Sequence, residues 1–421
     1  MKWTLKIKHL ILLNVLLNQN IFAKNELSLE KIERIAIKTS PELSLLRHKE
    51  QALYESSVAA AQLPDPKLQA GLINVPTDSF SLTQENMTQL KLGIAQVFPK
   101  GDSLAIKSEQ KKILANAEKY GALNLQENIL RIVRNEWLDL YYWRQANKII
   151  IKNRKIFKHL VKVTESIYSS GKSNQYDVLR AQLELSKIEN MLIDINKQIG
   201  VVRGSLSNWI DQELAEQVMP NYLPKWPEVP NENILSKKIQ EHPHLLKDIL
   251  LVTAGQQGVK LVNQEYKPGL IAGLNYSFRK GKNSMMDDKR SDFIGAQVSV
   301  DLPFFTSNRQ DKQVMASISE LNSIKDRHRT DYRKMKSDLL QFLVMWKKLS
   351  KQTDFYQARL IPEARQYSKA TLTAYQNNQG DFPTVARAYV SDLNTQLESL
   401  KLQVDKSKAR VALLYLEGTT K

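Results

Sequence analysis

Two periodicities alternate along this chain, and each appears twice in the same order. Between Leu68 and Phe98, and again between Leu270 and Leu302, apolar residues fall at every second position. Leu270, Ala272, Leu274, Tyr276 and Phe278 share a face opposite Gly273, Asn275, Ser277 and Arg279. Ile294, Ala296, Val298, Val300 and Leu302 likewise oppose Gly295, Gln297, Ser299 and Asp301. Period two with one apolar and one small or polar face predicts strands. Leu68, Ala70 and Leu72, then Leu90, Leu92, Ile94 and Phe98, repeat the pattern earlier in the chain. Polar loops at 77–88 and 280–291 join each pair into a hairpin.

Elsewhere the period is helical. Ala181, Leu185, Ile188, Leu192, Ile195, Ile199, Val202 and Leu206 alternate four-three spacing, and Leu393, Leu397, Leu400, Val404, Val411 and Leu414 nearly do the same, with Ser407 in one core slot. That spacing predicts a coiled-coil seam; ordinary amphipathic helices in a bundle are the blander alternative. Each seam is preceded by a very long helical stretch, from Asp102 to Tyr168 and from Asn308 to Tyr375. About 67 residues at ~1.5 Å each reach ~100 Å, far beyond an ordinary globular helix. A short helix leads each half, with Pro41 or Pro243 opening the next one.

The order is an internal duplication. Ser40-Pro41-Glu42-Leu43 returns as His242-Pro243-His244-Leu245 at an offset of 202, and Pro66, Leu68, Ala70, Gly71 and Leu72 return as Pro268, Leu270, Ala272, Gly273 and Leu274. Phe98-Pro99 pairs with Leu302-Pro303 at 204, and Tyr168 with Tyr375 at 207. A slow drift of this kind fits small loop insertions between two copies of one unit. The repeats are placed at 24–218 and 232–418, with hairpins at about 66–99 and 268–303 and coiled-coil pairs at about 102–215 and 308–416. Between them, 219–231 holds Pro220, Pro224, Pro227 and Pro230, which break helix and sheet alike and mark a linker.

Composition narrows the class. Fifteen Gly and fourteen Pro are few for an all-β chain of 421 residues, which favours helix. The absence of cysteine excludes disulfides, thiolate metal sites and a lipid-modified N-terminal Cys. Residues 1–23 read as an export signal: Lys2, Lys6 and Lys8 form a basic start, Leu10 to Leu17 an apolar run too short to span a membrane, and Ala23 a cleavage point. Without those three lysines the formal charge falls from +17 to +14. Lys and Arg are scattered rather than gathered in a stripe, which points to solvated helix faces and not to a nucleic-acid partner.

The hairpins admit two readings. They could be half-buried sheets packed on helices, or membrane strands with apolar positions toward lipid and polar ones toward a lumen. Four strands are too few to close a barrel, which needs at least about eight, so the second reading requires several chains.

The order of helix, hairpin, long helix, tight turn and returning helix, written twice behind a signal peptide, resembles the TolC family of outer-membrane efflux proteins over nearly the whole mature chain. Its local carriers are Leu63-Pro64-Asp65-Pro66-Lys67-Leu68, Gln96-Val97-Phe98-Pro99-Lys100-Gly101, Val300-Asp301-Leu302-Pro303-Phe304-Phe305, and Tyr168-Ser169-Ser170-Gly171 followed by Asp177-Val178-Leu179-Arg180-Ala181. The resemblance implies a mainly α fold with a membrane β-barrel. It also implies a homotrimer whose three protomers contribute four strands each, and an antiparallel coiled-coil tunnel that crosses the periplasm of a Gram-negative cell. It implies outer-membrane lipid, a periplasmic adaptor and an inner-membrane pump as partners. Pro66, Pro99, Pro268 and Pro303 match strand–helix junctions. Tyr168, Gly171, Lys172 and Ser173, with Tyr375, Gly380 and Asp381, match the tip that meets an adaptor. Asp177 matches a pore-gate acid, because rings of acids favour cations. A second acidic ring is not matched, since Arg180 and Thr384 stand at the other positions.

Short length and the Leu-Pro-Asp-Pro and Phe-Pro motifs are most similar to the branch serving heavy-metal resistance–nodulation–division pumps, so metal ions are the expected cargo. Multidrug or type I protein-secretion channels are the alternative within the family, and a non-membrane periplasmic coiled-coil scaffold is the alternative outside it. No glycine-rich phosphate loop or nucleophile elbow appears, and neither catalysis nor a cofactor or resident metal is expected. His242 and His244 read as surface residues at a helix start, and Met87, Met285 and Met286 as loop methionines.

Overall fold

A computed structural model describes residues 26–283 and 288–418. The leader at 1–23 and the loop residues Met285 and Met286 lie outside these residues. Ten α-helices and four strands are described: α1 (Leu29–Thr39), α2 (Pro41–Ala60), β1 (Lys67–Ile73), β2 (Gln89–Phe98), α3 (Ser103–Ser169), α4 (Gln175–Leu206), α5 (Gln212–Ala215), α6 (Glu232–Gln240), α7 (Pro243–Asn263), β3 (Gly269–Phe278), β4 (Phe293–Asp301), α8 (Gln310–Phe355), α9 (Ile361–Gln376) and α10 (Phe382–Glu417). None of the described helices is long and apolar enough to cross a membrane.

Helix ends follow local chemistry. Ser28 accepts from the Lys31 amide and Ser40 from the Leu43 amide, giving α1 and α2 their caps. Pro41 and Pro243 open α2 and α7, where the missing N–H costs no hydrogen bond. α3 runs 67 residues without proline. The second long stretch is interrupted instead: a π-turn at Tyr356–Leu360 separates α8 from α9. Pro362 comes two residues after it and cannot donate to the preceding turn, so the local widening has an identifiable cause.

The chain forms two compact units that do not coincide with the two repeats, because each draws on both. Among the described residues, one comprises 26–44, 123–242 and 332–418; the other comprises 45–122, 243–283 and 288–331. In the first unit the seams are the core. Ala181, Ile188, Ile195 and Leu206 of α4 are buried, and Leu185, Leu192, Ile199 and Val202 pack beside them. α10 contributes Leu393, Leu400, Val404 and Val411, with Ser407 also buried. Ser205 donates to Glu136 and Asn147 to Asn196, which sets α3 and α4 antiparallel.

The proline-rich 220–230 segment carries no regular structure, yet it is pinned. The buried Arg410 guanidinium donates to the carbonyls of Pro227 and Glu228 and to the Glu417 carboxylate, at 2.9, 3.3 and 2.6 Å. His242 corrects the surface expectation. It is fully buried, with Nε2 2.9 Å from the Tyr415 carbonyl, and so it serves the last turn of α10.

In the second unit α7 lies against the first turns of α3 and the start of α8. Gln110 donates to the Ala254 carbonyl. A Cβ on Gly255 would stand only 3.1 Å from Leu321 Cδ1, so the small residue permits close helix approach. The four strands make one antiparallel sheet in the order β1-β2-β3-β4. Its central pairing, β2 on β3, joins the two repeats, with Leu90 opposite Phe278 and Phe98 opposite Leu270.

Candidate functional sites: two helical tips and an open sheet

Both tips lie in the first unit. At the first, α3 ends in a tight reversal. Gly171 adopts φ +73°, and the Lys172 amide reaches back 3.1 Å to the Ile167 carbonyl. This is a left-handed helix terminus in which glycine avoids the Cβ clash that other residues incur. Nothing lies within 4 Å of a Cβ built there, so the constraint is conformational and not crowding. Tyr168 and Lys172 are exposed.

Asp177, in the first turn of α4, is only 5% exposed. Its Oδ2 accepts from Ser173 Oγ and, at 3.5 Å, from the Tyr375 hydroxyl; Ser173 and Tyr375 lie 3.3 Å apart. Burial pushes the Tyr375 hydroxyl above its ordinary pKa, which keeps it a donor at neutral pH. Within the protomer, therefore, the Asp177 carboxylate lies against the other tip. This three-residue tie joins the first reversal to the end of α9. Asp177 Oδ1 is buried with no hydrogen-bond partner.

At the second tip the left-handed residue is Asn378, at φ +60°, and the Gln379 amide donates 2.8 Å to the Ala374 carbonyl. Gly380, two residues further on, does not have positive φ. Asparagine tolerates the left-handed region well enough to take the role. Asp381 caps α10 by accepting from the Thr384 amide at 2.8 Å. The Thr384 hydrogen bonds, with lesser help from the charges of Arg387 and Arg180, hold its carboxyl below the ordinary value. Phe382 packs on the Tyr375 ring, 5.7 Å between centroids. Beside the tips an open groove of about 610 Å³ carries Arg180, Glu184, Lys187, Arg387 and Glu398.

The sheet is the other candidate, and it lies in the second unit. Directly paired residues point to one side. Leu68, Ile94, Leu274 and Ala296 therefore form one row, and Ala70, Leu92, Tyr276 and Ile294 the next. The opposite side holds rows such as Gln69, Gly93, Asn275 and Gly295. Leu68 is 81% exposed and Ile294 77%, so the apolar face is uncovered in the protomer. β1 and β4 each leave one edge unpaired. An open-edged sheet with a bare apolar face is unstable in water alone and calls for more strands and an apolar surrounding.

The prolines bracket this sheet. Pro66 and Pro268 immediately precede β1 and β3; Pro99 immediately follows β2, and Pro303 comes two residues after β4. Gly101 is the tightest position at these junctions. It has φ +49°, and a Cβ there would fall 2.3 Å from Lys267 Cδ. Around it Lys100 pairs with Glu265 at 2.8 Å and Lys267 with Asp102 at 3.0 Å, which ties the two junctions together.

No family model and no curated protein matches this sequence. Solved structures do match in fold. The outer-membrane protein VceC of Vibrio cholerae superposes with a TM-score of 0.78 at 15% identity, over 93% of this chain and 96% of that one. The outer-membrane channel CmeC of Campylobacter jejuni gives 0.76 at 12%, over 94% and 86%. CusC, described for its transmembrane channel formation, gives 0.75 at 12%, over 94% and 93%. The similar scores single out no branch.

Proposed function

We propose that this chain, which has the fold of the TolC-type outer-membrane channels, is the protomer of an outer-membrane efflux duct. The observation that carries this reading is the four-stranded sheet with a bare apolar face and two open edges. Three copies would supply twelve strands, above the roughly eight at which barrels close. The apolar rows would then face lipid, and the rows containing Gln69, Asn275 and Gln297 a watery lumen. The two repeats follow as domains from the same arrangement, each contributing one hairpin and one coiled-coil pair.

The duct conducts passively, and an inner-membrane pump supplies the energy through a periplasmic adaptor. The tips are the docking end, with Tyr168, Lys172 and the groove lined by Arg180, Lys187 and Arg387 presented for contact. The Ser173–Asp177–Tyr375 tie is the latch of that end. An adaptor that separates α4 from α9 breaks it, and the freed Asp177 carboxylate can then act on passing cations. Heavy-metal ions are the cargo we assign, on the Leu-Pro-Asp-Pro and Phe-Pro motifs.

Two experiments separate the levels of this proposal. Purification in detergent should yield a trimer that dissociates on heating, and planar-bilayer recording should show a pore. A monomer soluble without detergent would instead select the periplasmic scaffold. Deletion of the gene should sensitise cells to copper, silver, zinc or cobalt, with rescue from a plasmid; sensitivity to drugs alone would keep the channel and overturn the metal cargo.

A further inference from the structure

His244 and Asp248 stand four residues apart on α7, and His328 and Asp331 three apart on α8. Each spacing places its two side chains on one helix face. All four residues belong to the second unit. The faces meet: His244 Nε2 is 3.5 Å from Asp331 Oδ2, and His328 Nδ1 is 3.9 Å from Asp248 Oδ2. One donor atom from each of His244, Asp248 and Asp331 lies within 4.8 Å of the other two.

The cluster is more than a set of surface ion pairs. Asp248 is 5% exposed, and its Oδ2 and His328 Nδ1 are both buried with no hydrogen-bond partner. A buried carboxylate oxygen aimed into a group of imidazoles and carboxylates is costly unless something satisfies it. Burial accordingly pushes the Asp248 carboxyl upward. His244 and Asp331 are half-exposed, which leaves a path from solvent.

We infer that His244, Asp248 and Asp331, with His328 as fourth ligand, form a site for a divalent transition ion of the zinc class that staples α7 to α8. Imidazole nitrogen and carboxylate oxygen suit this ion class, and two carboxylates neutralise its charge. Ligand bonds of about 2.1 Å in a tetrahedron put donor atoms about 3.4 Å apart. Spacings of up to 4.8 Å among His244, Asp248 and Asp331 need to contract by up to about 1.4 Å, and His328 swings in from its 3.9 Å approach to Asp248, by side-chain rotation. Arg327, whose charge also acts on Asp248, is a cation that would compete with the ion. The site is independent of the cargo: a staple between two helices is a resident ion, and it would be present whether the duct exports metals or drugs.

The test uses the full chain in detergent, stripped with chelator and titrated with Zn²⁺ by calorimetry at neutral pH. One ion per chain is expected. The His244→Ala and Asp248→Asn variants should weaken binding by at least about tenfold. His48→Ala, an exposed histidine on α2, should leave it unchanged. Co²⁺ substitution of the wild-type chain reads the ligand set without any variant: a visible absorption band of tetrahedral intensity supports the staple. No stoichiometric Zn²⁺, or equal binding by wild type and the His244→Ala/Asp248→Asn double variant, would overturn it and leave a metal-free His–Asp cluster. If the double variant fails to assemble, a Co²⁺ spectrum of octahedral, hydrated character overturns it equally.

Discussion

The two helical tips have one backbone plan and different chemistry. At the constant offset of 207, Gly171 corresponds to Asn378, Asn174 to Asp381 and Asp177 to Thr384. Both reversals place a left-handed residue at the same point and return an amide to a carbonyl five residues earlier. Yet the second tip caps its outgoing helix with Asp381, whereas Asn174 makes no side-chain cap at the first. The acid of the first tip lies three residues further on, as Asp177, and accepts both from Ser173 of its own tip and from Tyr375 of the other. Duplication thus preserved the turn, which geometry dictates, and released the polar side chains. One became a cap and the other a bridge.

The largest expected effect breaks the bridge. Asp177→Ala leaves the Ser173 and Tyr375 hydroxyls without their shared acceptor in a buried setting, at a cost of about 2–3 kcal/mol. Amide exchange around 173–177 and 374–378 should quicken by roughly 30- to 150-fold, and single-channel conductance should rise. Unchanged exchange would remove Asp177 from the latch. Gly171→Ala should come next, at about 1–2 kcal/mol, because alanine meets the left-handed penalty that glycine escapes. Trimers should still assemble, with the loss visible as a lower melting temperature of the tip and weaker adaptor binding.

Asp381→Ala should cost about 1 kcal/mol through the lost cap, whereas Asp381→Asn should keep most of it. The sign with pH follows from the lowered carboxyl of Asp381. Its contribution is fully present above the ordinary Asp value and is lost as pH falls through the lower, folded-state value. The difference between wild type and Asp381→Ala should therefore shrink only in strong acid. The smallest change is Asn378→Gly, within about 0.5 kcal/mol in either direction, since relief of left-handed strain opposes the greater freedom of the unfolded chain. A large effect there would show that the asparagine side chain does more than turn the chain.

Strands and seams were readable because their periods are short-range: a two-residue alternation and a four-three repeat each report one face of one element. The left-handed residue of the second turn, Asn378, was not singled out because residue type alone favours glycine over asparagine there. His242 looked like a surface residue because the Tyr415 carbonyl that holds it is 173 positions away. The His244, Asp248, His328 and Asp331 cluster escaped for the same reason. Each helix shows an unremarkable His–Asp pair until the two are brought together.

From the sequence alone came the element types, the tandem order, the apolar and polar faces of the hairpins and the four proline boundaries. All of these rest on interactions among residues a few positions apart, where backbone geometry and side-chain period are sufficient. Tertiary structure decided which repeats pair strand to strand, that both repeats contribute to each compact unit, that Asp177 turns inward to Tyr375, and that Arg410 grips the proline-rich segment. Those contacts join residues 172 to 198 positions apart. Local propensity carries no information about such partners, because the desolvation and hydrogen-bond terms that select them exist only once the helices are packed.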